Sequence, residues 1–472
     1  MRYRRCLLVL PRCLAFIALL AGASAPAWPG TLDGPVARPQ TAQSMVIVTP
    51  LRFEAELKPF VEHKLGELAI EVAILERVLG ETSGSDDPEK LKRFLYQAWK
   101  HRKARYVLLV GDASVVPVRY VSLDRIDPAS HDTAFGASDM YYADVAKANG
   151  SFDDWHARKD GHHALYFGEV HGEKNKNDPI NFDQITYRPK LAVGRWPVNT
   201  PDQVRTLVSK TIAFETQLKD GEKIPPRVGL IVAGGWVDSR DRMDRLAHSM
   251  PRSWNINKRY YSDARRKVST PPPTEPEITQ LLNSGIDLLV HSGHGSSTGW
   301  HNSLSIKHLG QIKNSKRLPV IISVGCVTGA FATNPPSEGY VDIRGMEHRG
   351  THRGELFADF PAPPAAYQSG RFNPPGLGKQ FVNAGPNGAI AYIGNTGVGQ
   401  PCALTLMEGF VNAWAGGKGS RLGDCWVMAI DYYYDKERLA KLKPTRSWYP
   451  PSIFYQAMKY MFYGDPSLRL PR

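Results

Sequence analysis

The 472-residue chain has few cysteines and only one long apolar run. That run, residues 13–21, follows an arginine-rich start and is followed by small residues, proline and glycine. It is too short to span a membrane, so we interpret residues 1–27 as a secretory signal with cleavage after Ala27. No other run approaches membrane length. The sequence therefore predicts a soluble, exported protein without a transmembrane segment, located in the periplasm or outside the cell.

The scarcity of cysteine limits the disulfides that can form. Cys6 and Cys13 leave with the signal, and Cys326, Cys402 and Cys425 remain, an odd number for an oxidising compartment. One arrangement pairs Cys402 with Cys425 and leaves Cys326 free. The other keeps all three thiols reduced, because spacing along the chain says nothing about disulfide geometry.

The positive charge has no recognisable nucleic-acid-binding module to accompany it. The formal net charge of +13 falls to about +9 without the four arginines of the signal. The remaining lysines and arginines are scattered, which is typical of a solvated basic surface. We therefore expect no nucleic-acid partner.

The chain length suits two fused α/β units. Residues 28–43 are rich in Pro, Gly and Ala and predict a flexible lead-in. We expect an N-terminal subdomain at 44–222 and a C-terminal catalytic subdomain at 223–472, each a mainly parallel sheet flanked by helices.

The stretch from Ile286 to Cys326 contains two branched-aliphatic runs, each ending in a glycine turn that carries a reactive side chain. The first reads I-D-L-L-V-H-S-G-H-G-S-S-T-G-W, and the second, after a polar crossover, reads L-P-V-I-I-S-V-G-C-V-T-G. Such runs are typical of buried parallel strands, and the crossover is long enough to join two neighbours. Adjacent strands would deliver His294 and Cys326 to the carboxyl edge, where open α/β sheets bind ligands. An imidazole and a thiol at that edge form a base and its nucleophile.

Two other interpretations of these residues stay open. A cysteine after a buried strand is often an inert core residue. His291, His294 and His301 could instead be zinc ligands. However, the first two histidines span a strand end and a glycine turn rather than one helix face, and no carboxylate or thiol lies at ligand spacing. We therefore expect no metal at this site.

These two segments resemble the catalytic core of the gingipain-type cysteine peptidases, within the caspase and legumain superfamily. The resemblance implies that His294 is the general base, that Cys326 is the nucleophile, and that the N–H groups of Gly295 and Cys326 form an oxyanion hole. It also implies a caspase-like α/β fold for both units. Further segments that resemble the family are L-L-V-G-D at 108–112, L-A-V-G-R-W-P at 191–197, G-A-I-A-Y-I-G-N-T-G at 388–397 and Y-G-D-P-S-L at 463–468.

The strand V-G-L-I-V-A-G-G, which opens the second unit, is expected to lie beside the catalytic strands. The resembled family carries an acidic residue just beyond it that orients the imidazole. Trp236 follows the glycines here, so the match is imperfect, and Asp238 is the candidate for this orienting role. Asp241 is a candidate for contacting the substrate, since cleavage after a basic residue needs an acid in the pocket. The alternative is that these acids only favour the start of a helix.

Other segments are expected to shape the substrate cleft. Residues 333–380 hold seven prolines and come soon after Cys326. A loop this long is usually functional or disordered, and we expect it to wall the cleft. Trp300, Asn395 and Thr396 are further candidates for contacting substrate. Helices are predicted at 403–415, 422–432 and 453–461.

The irregular segment at 121–190 is rich in Asp, His, Asn and Gly. Its carboxylates and carbonyls could coordinate calcium, and the resembled family includes calcium-binding members. No EF-hand spacing is present, and ordinary solvated loops have a similar composition. We expect no required cofactor and leave calcium open as a structural ion.

The residues and the resemblance together predict an exported cysteine endopeptidase that hydrolyses polypeptides through a Cys–His dyad and a thioester acyl-enzyme. One alternative is a catalytically inactive scaffold of the same fold that binds peptides. The other is a thiol transpeptidase that ligates peptides instead of hydrolysing them. The sequence indicates neither the residue preference nor the oligomeric state.

Overall fold

The structure, a computed structural model, describes residues 43–122, 135–155, 185–221, 224–335, 338–342, 344–349, 366–367, 371–442 and 451–471. The predicted signal and nearly all of the predicted lead-in lie outside this range, as do parts of the segment 121–190 and of the loop 333–380. Among the described helices, none has the length and apolar character needed to cross a membrane.

The strands of the described chain alternate with helices for most of its length. They are β1 (Ser44–Thr49), β2 (Ala69–Ile74), β3 (Ala104–Val110), β4 (Tyr120–Ser122), β5 (Phe135–Ala137), β6 (Ala192–Trp196), β7 (Arg227–Val232), β8 (Asn255–Tyr260), β9 (Leu288–Ser292), β10 (Gly295–Ser296), β11 (Gly299–Trp300), β12 (Val320–Ser323), β13 (Tyr340–Asp342), β14 (Glu347–His348), β15 (Ala366–Tyr367), β16 (Ala391–Asn395) and β17 (Tyr460–Tyr463).

Ten strands form one sheet in the order β2-β1-β3-β6-β17-β16-β12-β9-β7-β8. The first five, which we call the first block, run parallel to one another. The other five, the second block, are also mutually parallel. Because β17 and β16 pair antiparallel, the carboxyl ends of the two blocks lie at opposite edges of the sheet. The predicted α/β fold with a mainly parallel sheet is confirmed.

Strand β17 belongs to the first block although it lies within the predicted second unit, 223–472. Tyr463 pairs with Arg195 on one side and with Tyr392 on the other. The predicted helix at 453–461 is wrong at its end, since the helical turns stop at Lys459 and β17 begins at the next residue. The strand is wholly buried and rich in aromatic residues, which favours a strand. Periodicity alone cannot separate such a short apolar run from a buried helix.

Helices cover both faces of the sheet. They are α1 (Glu54–Lys64), α2 (Leu75–Glu81), α3 (Asp87–Arg102), α4 (Met140–Ala143), α5 (Pro201–Asp220), α6 (Arg240–Ser249), α7 (Glu275–Asn283), α8 (Leu377–Val382), α9 (Ala403–Ala415), α10 (Leu422–Lys436) and α11 (Pro451–Phe454). The Asp86 side chain caps α3 by accepting from Glu89 N at 3.0 Å. Thr200 and Gln203 form a reciprocal capping box at the start of α5.

The core consists of two apolar clusters, one on each face of the sheet. Alternate residues of β1 divide between them, with Val46 and Val48 in one cluster and Met45 and Ile47 in the other. All six residues of this strand are buried. Near-continuous apolar strands of this kind are typical of a parallel sheet covered by helices on both sides.

Candidate active site

His294 and Cys326 follow two neighbouring strands of the second block. Strands β9 and β12 are parallel, with His291 opposite Ser323 in the final register pair. His294 and Cys326 each lie three residues beyond that pair, so both leave the sheet at its carboxyl edge. The predicted adjacency of these strands is confirmed, and so is that of β7, which pairs with β9 on its other side.

The two turns that carry these side chains are in direct contact through glycine. A Cβ atom on Gly295 would lie 2.5 Å from Thr328 Cγ2 and 2.7 Å from the carbonyl oxygen of Cys326. Both distances are too short for a real carbon contact. Only glycine therefore allows the histidine turn to approach the cysteine turn so closely.

Cys326 lies half-buried against the turn that follows β16. Its Sγ accepts a hydrogen bond from the Gly399 amide at 3.3 Å. The next residue, Val327, has φ 59° and donates its N–H to the Gly397 carbonyl at 2.8 Å. A β-branched residue in the left-handed region is a genuine outlier, and such strain concentrates at functional sites.

The His294 ring is half-exposed and is oriented by a main-chain group. Its Nε2 lies 2.5 Å from the Gly235 carbonyl oxygen, in the turn after β7. A carbonyl only accepts, so Nε2 carries the proton and Nδ1 is the basic nitrogen of the neutral ring. Gly235 has φ 90°, a conformation that side-chain-bearing residues rarely adopt.

The N–H of Gly295 lies outside the local ladder between β10 and β11. His301 N donates to His294 O at 3.0 Å, and Gly295 stands opposite Trp300. This makes Gly295 and Trp300 a non-hydrogen-bonded pair, whose N–H groups do not cross to the partner strand. The Gly295 N–H is therefore not used by this ribbon, as an oxyanion donor requires.

His291 lies beneath the site and is a core residue. It is fully buried, its Nδ1 lies 2.9 Å from Ser323 Oγ, and burial lowers its pKa to about 3. The described residues contain no group of three or more His, Cys, Asp or Glu side chains that could hold a metal ion. The geometry thus gives no support to zinc bound by His291, His294 and His301.

Trp300, predicted to contact substrate, is part of the same buried layer. It is 2% exposed, and its ring stacks on His291 with centroids 4.4 Å apart. Its Nε1 donates to Ser323 Oγ at 3.1 Å. The large apolar ring fills the space under the strand ends, so its contribution is to support the turn and not to line the cleft.

Asp238, predicted to orient His294, instead binds Arg240 through both carboxylate oxygens, at 2.9 and 2.7 Å. The guanidinium lowers the pKa of Asp238 to about 2. Among the described contacts, no hydrogen bond joins Asp238 to His294. Asp238 lies three residues beyond Gly235, whose carbonyl is the observed partner of the imidazole, and its carboxylate is bound to Arg240.

Asp241, predicted to contact substrate, forms an ion pair with Arg266 and is 76% exposed. Asp244 pairs with Lys258 at 2.6 Å. Asp241 lies in the first turn of α6, where an acidic side chain is favoured by the helix dipole. The structure therefore matches the simpler interpretation of these acids as helix-start and ion-pair residues.

Asn395 and Thr396 are both buried and shape the turn beside the thiol. Asn395 Oδ1 accepts from Gly397 N at 2.9 Å. Thr396 Oγ1 donates to the carbonyls of Ala137 at 3.2 Å and Lys459 at 3.0 Å. Their side chains are directed into the protein, so the described contacts give them a role in positioning Gly397 and Gly399 instead of a direct contact with substrate.

The described part of the predicted calcium segment contains a buried charge cluster. Asp144 accepts from Thr186 Oγ1 at 2.6 Å, and Asp153 accepts from Thr186 N at 3.1 Å. Burial raises the pKa of Asp144 to about 8, and the nearby buried Lys92 supplies positive charge. One oxygen of each carboxylate, Asp144 Oδ2 and Asp153 Oδ1, is buried without a hydrogen-bond partner among the described residues. Residues 123–134 and 156–184 lie outside the described chain, so calcium stays a prediction.

None of the three described cysteines, Cys326, Cys402 and Cys425, forms a disulfide in the structure. The predicted alternative of a Cys402–Cys425 disulfide is not formed, and the reduced arrangement is the one observed. Cys402 lies half-buried, whereas Cys425 is fully buried.

The sequence signal for several site features was weak. The Gly235 carbonyl and the Gly399 amide are main-chain groups, which any residue type supplies, and only the glycines themselves mark the turns. Nothing in the sequence marks Val327 as left-handed, because valine normally avoids that region.

Comparison with known proteins agrees with this architecture. A profile of peptidase family C25 matches residues 38–471. Gingipain R2 of Porphyromonas gingivalis (strain ATCC BAA-308 / W83) is 23% identical over 296 residues, which is 62% of this chain and 33% of that protein. Gingipain R1 of Porphyromonas gingivalis is 24% identical over 306 residues, which is 64% of this chain and 25% of that protein. This chain thus matches about a third or less of the length of these relatives.

The crystal structure of the Arg-specific cysteine proteinase gingipain R superposes with a TM-score of 0.57 at 18% identity, covering 91% of this chain and 78% of that one. The fold is therefore that of the gingipain-type α/β cysteine peptidases. The chain belongs to peptidase family C25.

Proposed function

We propose that this chain is an exported cysteine endopeptidase in which Cys326 and His294 form the catalytic dyad. The observation that carries the proposal is the register of β9 and β12, which delivers both side chains to one sheet edge at equal distances past a paired position. Both side chains are partly exposed there. Membership of family C25 supports the same reaction class.

The first half of the reaction forms a thioester. The Cys326 thiolate attacks the carbonyl carbon of the scissile peptide, and the carbonyl electrons move to the oxygen. The N–H groups of Gly295 and Cys326 are assigned to the oxyanion, each contributing about 3 kcal/mol in comparable sites. His294 donates a proton to the leaving amine as the carbon–nitrogen bond breaks.

The second half releases the acyl group. His294 takes a proton from water, whose oxygen attacks the thioester carbonyl, and collapse of this intermediate breaks the carbon–sulfur bond. The product is a free carboxyl terminus, and the sulfur leaves as the thiolate paired with protonated His294. No step requires a cofactor.

The dyad acts on polypeptides, but the chain's own ion pairs argue against carrying over an arginine preference. The three acids that follow β7, one in the loop and two in α6, are each already paired with a cation of the chain. Asp238 binds Arg240, Asp241 binds Arg266, and Asp244 binds Lys258. A basic substrate side chain would have to displace one of these partners. Export is supported by the signal-like composition of residues 1–27.

The test is digestion of a peptide library by the wild type and by Cys326→Ala, with Cys402→Ala as the matched cysteine control. We expect Cys326→Ala to lose on the order of 10⁴-fold or more in kcat, as removal of a nucleophile does in comparable enzymes, while Cys402→Ala stays active. Ligated products would instead identify a transpeptidase. Wild-type protein that neither cleaves nor ligates any peptide, nor reacts with thiol-directed peptide probes, would identify a binding scaffold.

A further inference from the structure

The imidazole of His294 has a neutral partner on the side where the sequence predicts a carboxylate. Its Nε2 donates to the Gly235 carbonyl, 2.5 Å away. The edge of the ring also lies over this turn, since a Cβ on Gly235 would be 3.4 Å from His294 Cδ2. The turn at 234–235 therefore contacts the His294 ring in two ways, through the hydrogen bond to Nε2 and through packing against the ring edge.

Arg240 supports this turn through the residues that pack against it. Its side chain is 1% exposed, and it donates to Asp238, to the Tyr261 carbonyl at 3.1 Å and to the Arg266 carbonyl at 3.1 Å. The guanidinium also lies 4.1 Å from the centroid of the Tyr261 ring. A buried arginine with this many partners ties the loop after β7 to the loop after β8.

Tyr261 completes the connection to the turn. Its backbone N donates to Val232 O at 3.0 Å, which extends the pairing of β7 and β8 by one bond. A Cβ on Gly234 would lie 3.0 Å from the Tyr261 ring. The ring that Arg240 covers on one face thus packs against the backbone next to Gly235.

We propose that the main-chain carbonyl of Gly235 is the group that orients His294, and that Arg240 is a positioning residue that keeps this carbonyl in place. The inference rests on the proposed function and specifies how its base is prepared. The carbonyl keeps the proton on Nε2 and leaves Nδ1 as the nitrogen that exchanges a proton with the sulfur. The same N–H group donates to this carbonyl when the ring takes up a proton at Nδ1, and a charged donor forms the stronger hydrogen bond.

Among the described contacts, a second imidazole faces the His294 ring. The His301 ring centroid lies 6.1 Å away. Asp238 is bound to Arg240 on the loop after β7, and Cys326 lies on the neighbouring turn. His301→Gln therefore serves as a control that removes the other imidazole without touching the orienting carbonyl.

The central experiment compares Gly235→Ala with Gly150→Ala. Both glycines are left-handed, with φ 90° and 79°, so alanine strains the backbone similarly at either position. Gly150 has open space around its Cα and lies outside the site. The readout is the rate at which iodoacetamide alkylates Cys326 as a function of pH, which needs no substrate, together with kcat and KM on a cleaved peptide.

We expect Gly235→Ala to raise the midpoint of the alkylation profile by on the order of one pH unit, because one hydrogen bond to the protonated ring is lost. The kcat should fall on the order of 10- to 100-fold with KM little changed. Gly150→Ala and His301→Gln should keep the wild-type midpoint. An unchanged midpoint in a folded Gly235→Ala protein would overturn the role of the carbonyl.

Arg240→Gln tests the second part of the proposal, with Arg240→Lys as the conservative variant. We expect Arg240→Gln to shift the midpoint in the same direction and Arg240→Lys to restore part of it. A lower melting temperature without any shift would make Arg240 a purely structural residue. If His294→Ala leaves the wild-type alkylation profile unchanged, the dyad itself fails, which is distinct from failure of the orienting carbonyl alone.

Discussion

The two blocks of the sheet use their carboxyl edges in opposite ways. At the edge of the first block, Arg195 is fully buried and binds Asp139 through two hydrogen bonds of 2.7 Å. Asp112, at the end of β3, is buried too and binds Asn199 and Lys379. At the edge of the second block, His294 and Cys326 stand on glycine turns and stay partly exposed.

The difference shows that one sheet architecture can carry two kinds of carboxyl edge. At a sealed edge, charged side chains are buried in ion pairs with one another; at an open edge, side chains stay partly exposed to solvent. Charged groups at the first edge form ion pairs and hydrogen bonds with one another, and these contacts hold the surrounding loops together. The two side chains at the second edge are each held by a main-chain group, the Gly235 carbonyl for the imidazole and the Gly399 amide for the sulfur. Such contacts orient a side chain without neutralising it.

The largest effect is expected from breaking the sealed edge. Arg195→Met leaves the Asp139 carboxylate buried without its cation, which typically costs about 3–5 kcal/mol of unfolding free energy. Urea unfolding measures this loss, and the exposed pair of Glu56 and Arg205 provides a control in Glu56→Gln, expected to cost about 1 kcal/mol or less. Activity per folded molecule should persist. Equal losses for the two variants would show that the first edge is not sealed by this pair.

The second prediction compares the two partly exposed thiols, Cys326 and Cys402. Burial raises the pKa of Cys402 to about 11, so at pH 8 its thiolate fraction is about 10⁻³, on the order of 100-fold below that of an ordinary thiol. We expect iodoacetamide at pH 8 to label Cys326 on the order of 100-fold faster, as measured by peptide mass spectrometry. Labelling of Cys402 should rise about tenfold per pH unit until pH nears 11. Similar rates at pH 8 would contradict this assignment.

The smallest effect is expected at the strained residue of the open edge. Val327→Gly removes the strain of a left-handed conformation, which costs about 1–2 kcal/mol. This gain offsets the lost packing of the valine side chain and the greater conformational entropy of the unfolded chain. We expect an unfolding free energy within about 1 kcal/mol of wild type. The matched change Val324→Gly, at a buried residue without positive φ, should cost on the order of 3 kcal/mol. If both changes destabilise equally, Val327 stores no strain.

The pairing of the reactive strands could be predicted because it depends on local patterns. Two aliphatic runs that end in glycine, joined by a crossover of sufficient length, favour parallel neighbours, and β9 and β12 are indeed adjacent. The helix starts that the structure shows at Asp86 and Thr200 also depend on local sequence, since a capping side chain acts within one turn.

The position of β17 and the partner of His294 could not be predicted in this way. The place of Tyr460–Tyr463 in the sheet depends on long-range pairing, which the composition of the strand does not encode. Asp238 is a candidate because the resembled family carries an acidic residue just beyond this strand, whereas a sequence does not show the direction of a main-chain carbonyl. Trp300 was assigned to the cleft because an aromatic residue beside a reactive histidine fits a binding surface and a core layer equally well.

The placement of β17 has a consequence for biosynthesis. This strand follows every other described strand in the chain, yet it lies between β6 and β16 at the middle of the sheet. Until residues 460–463 have left the ribosome, the two blocks have no strand to join them, and β6 and β16 each present an open edge. The ten-stranded sheet can therefore be completed only after this strand has been translated, and the two blocks join at that point.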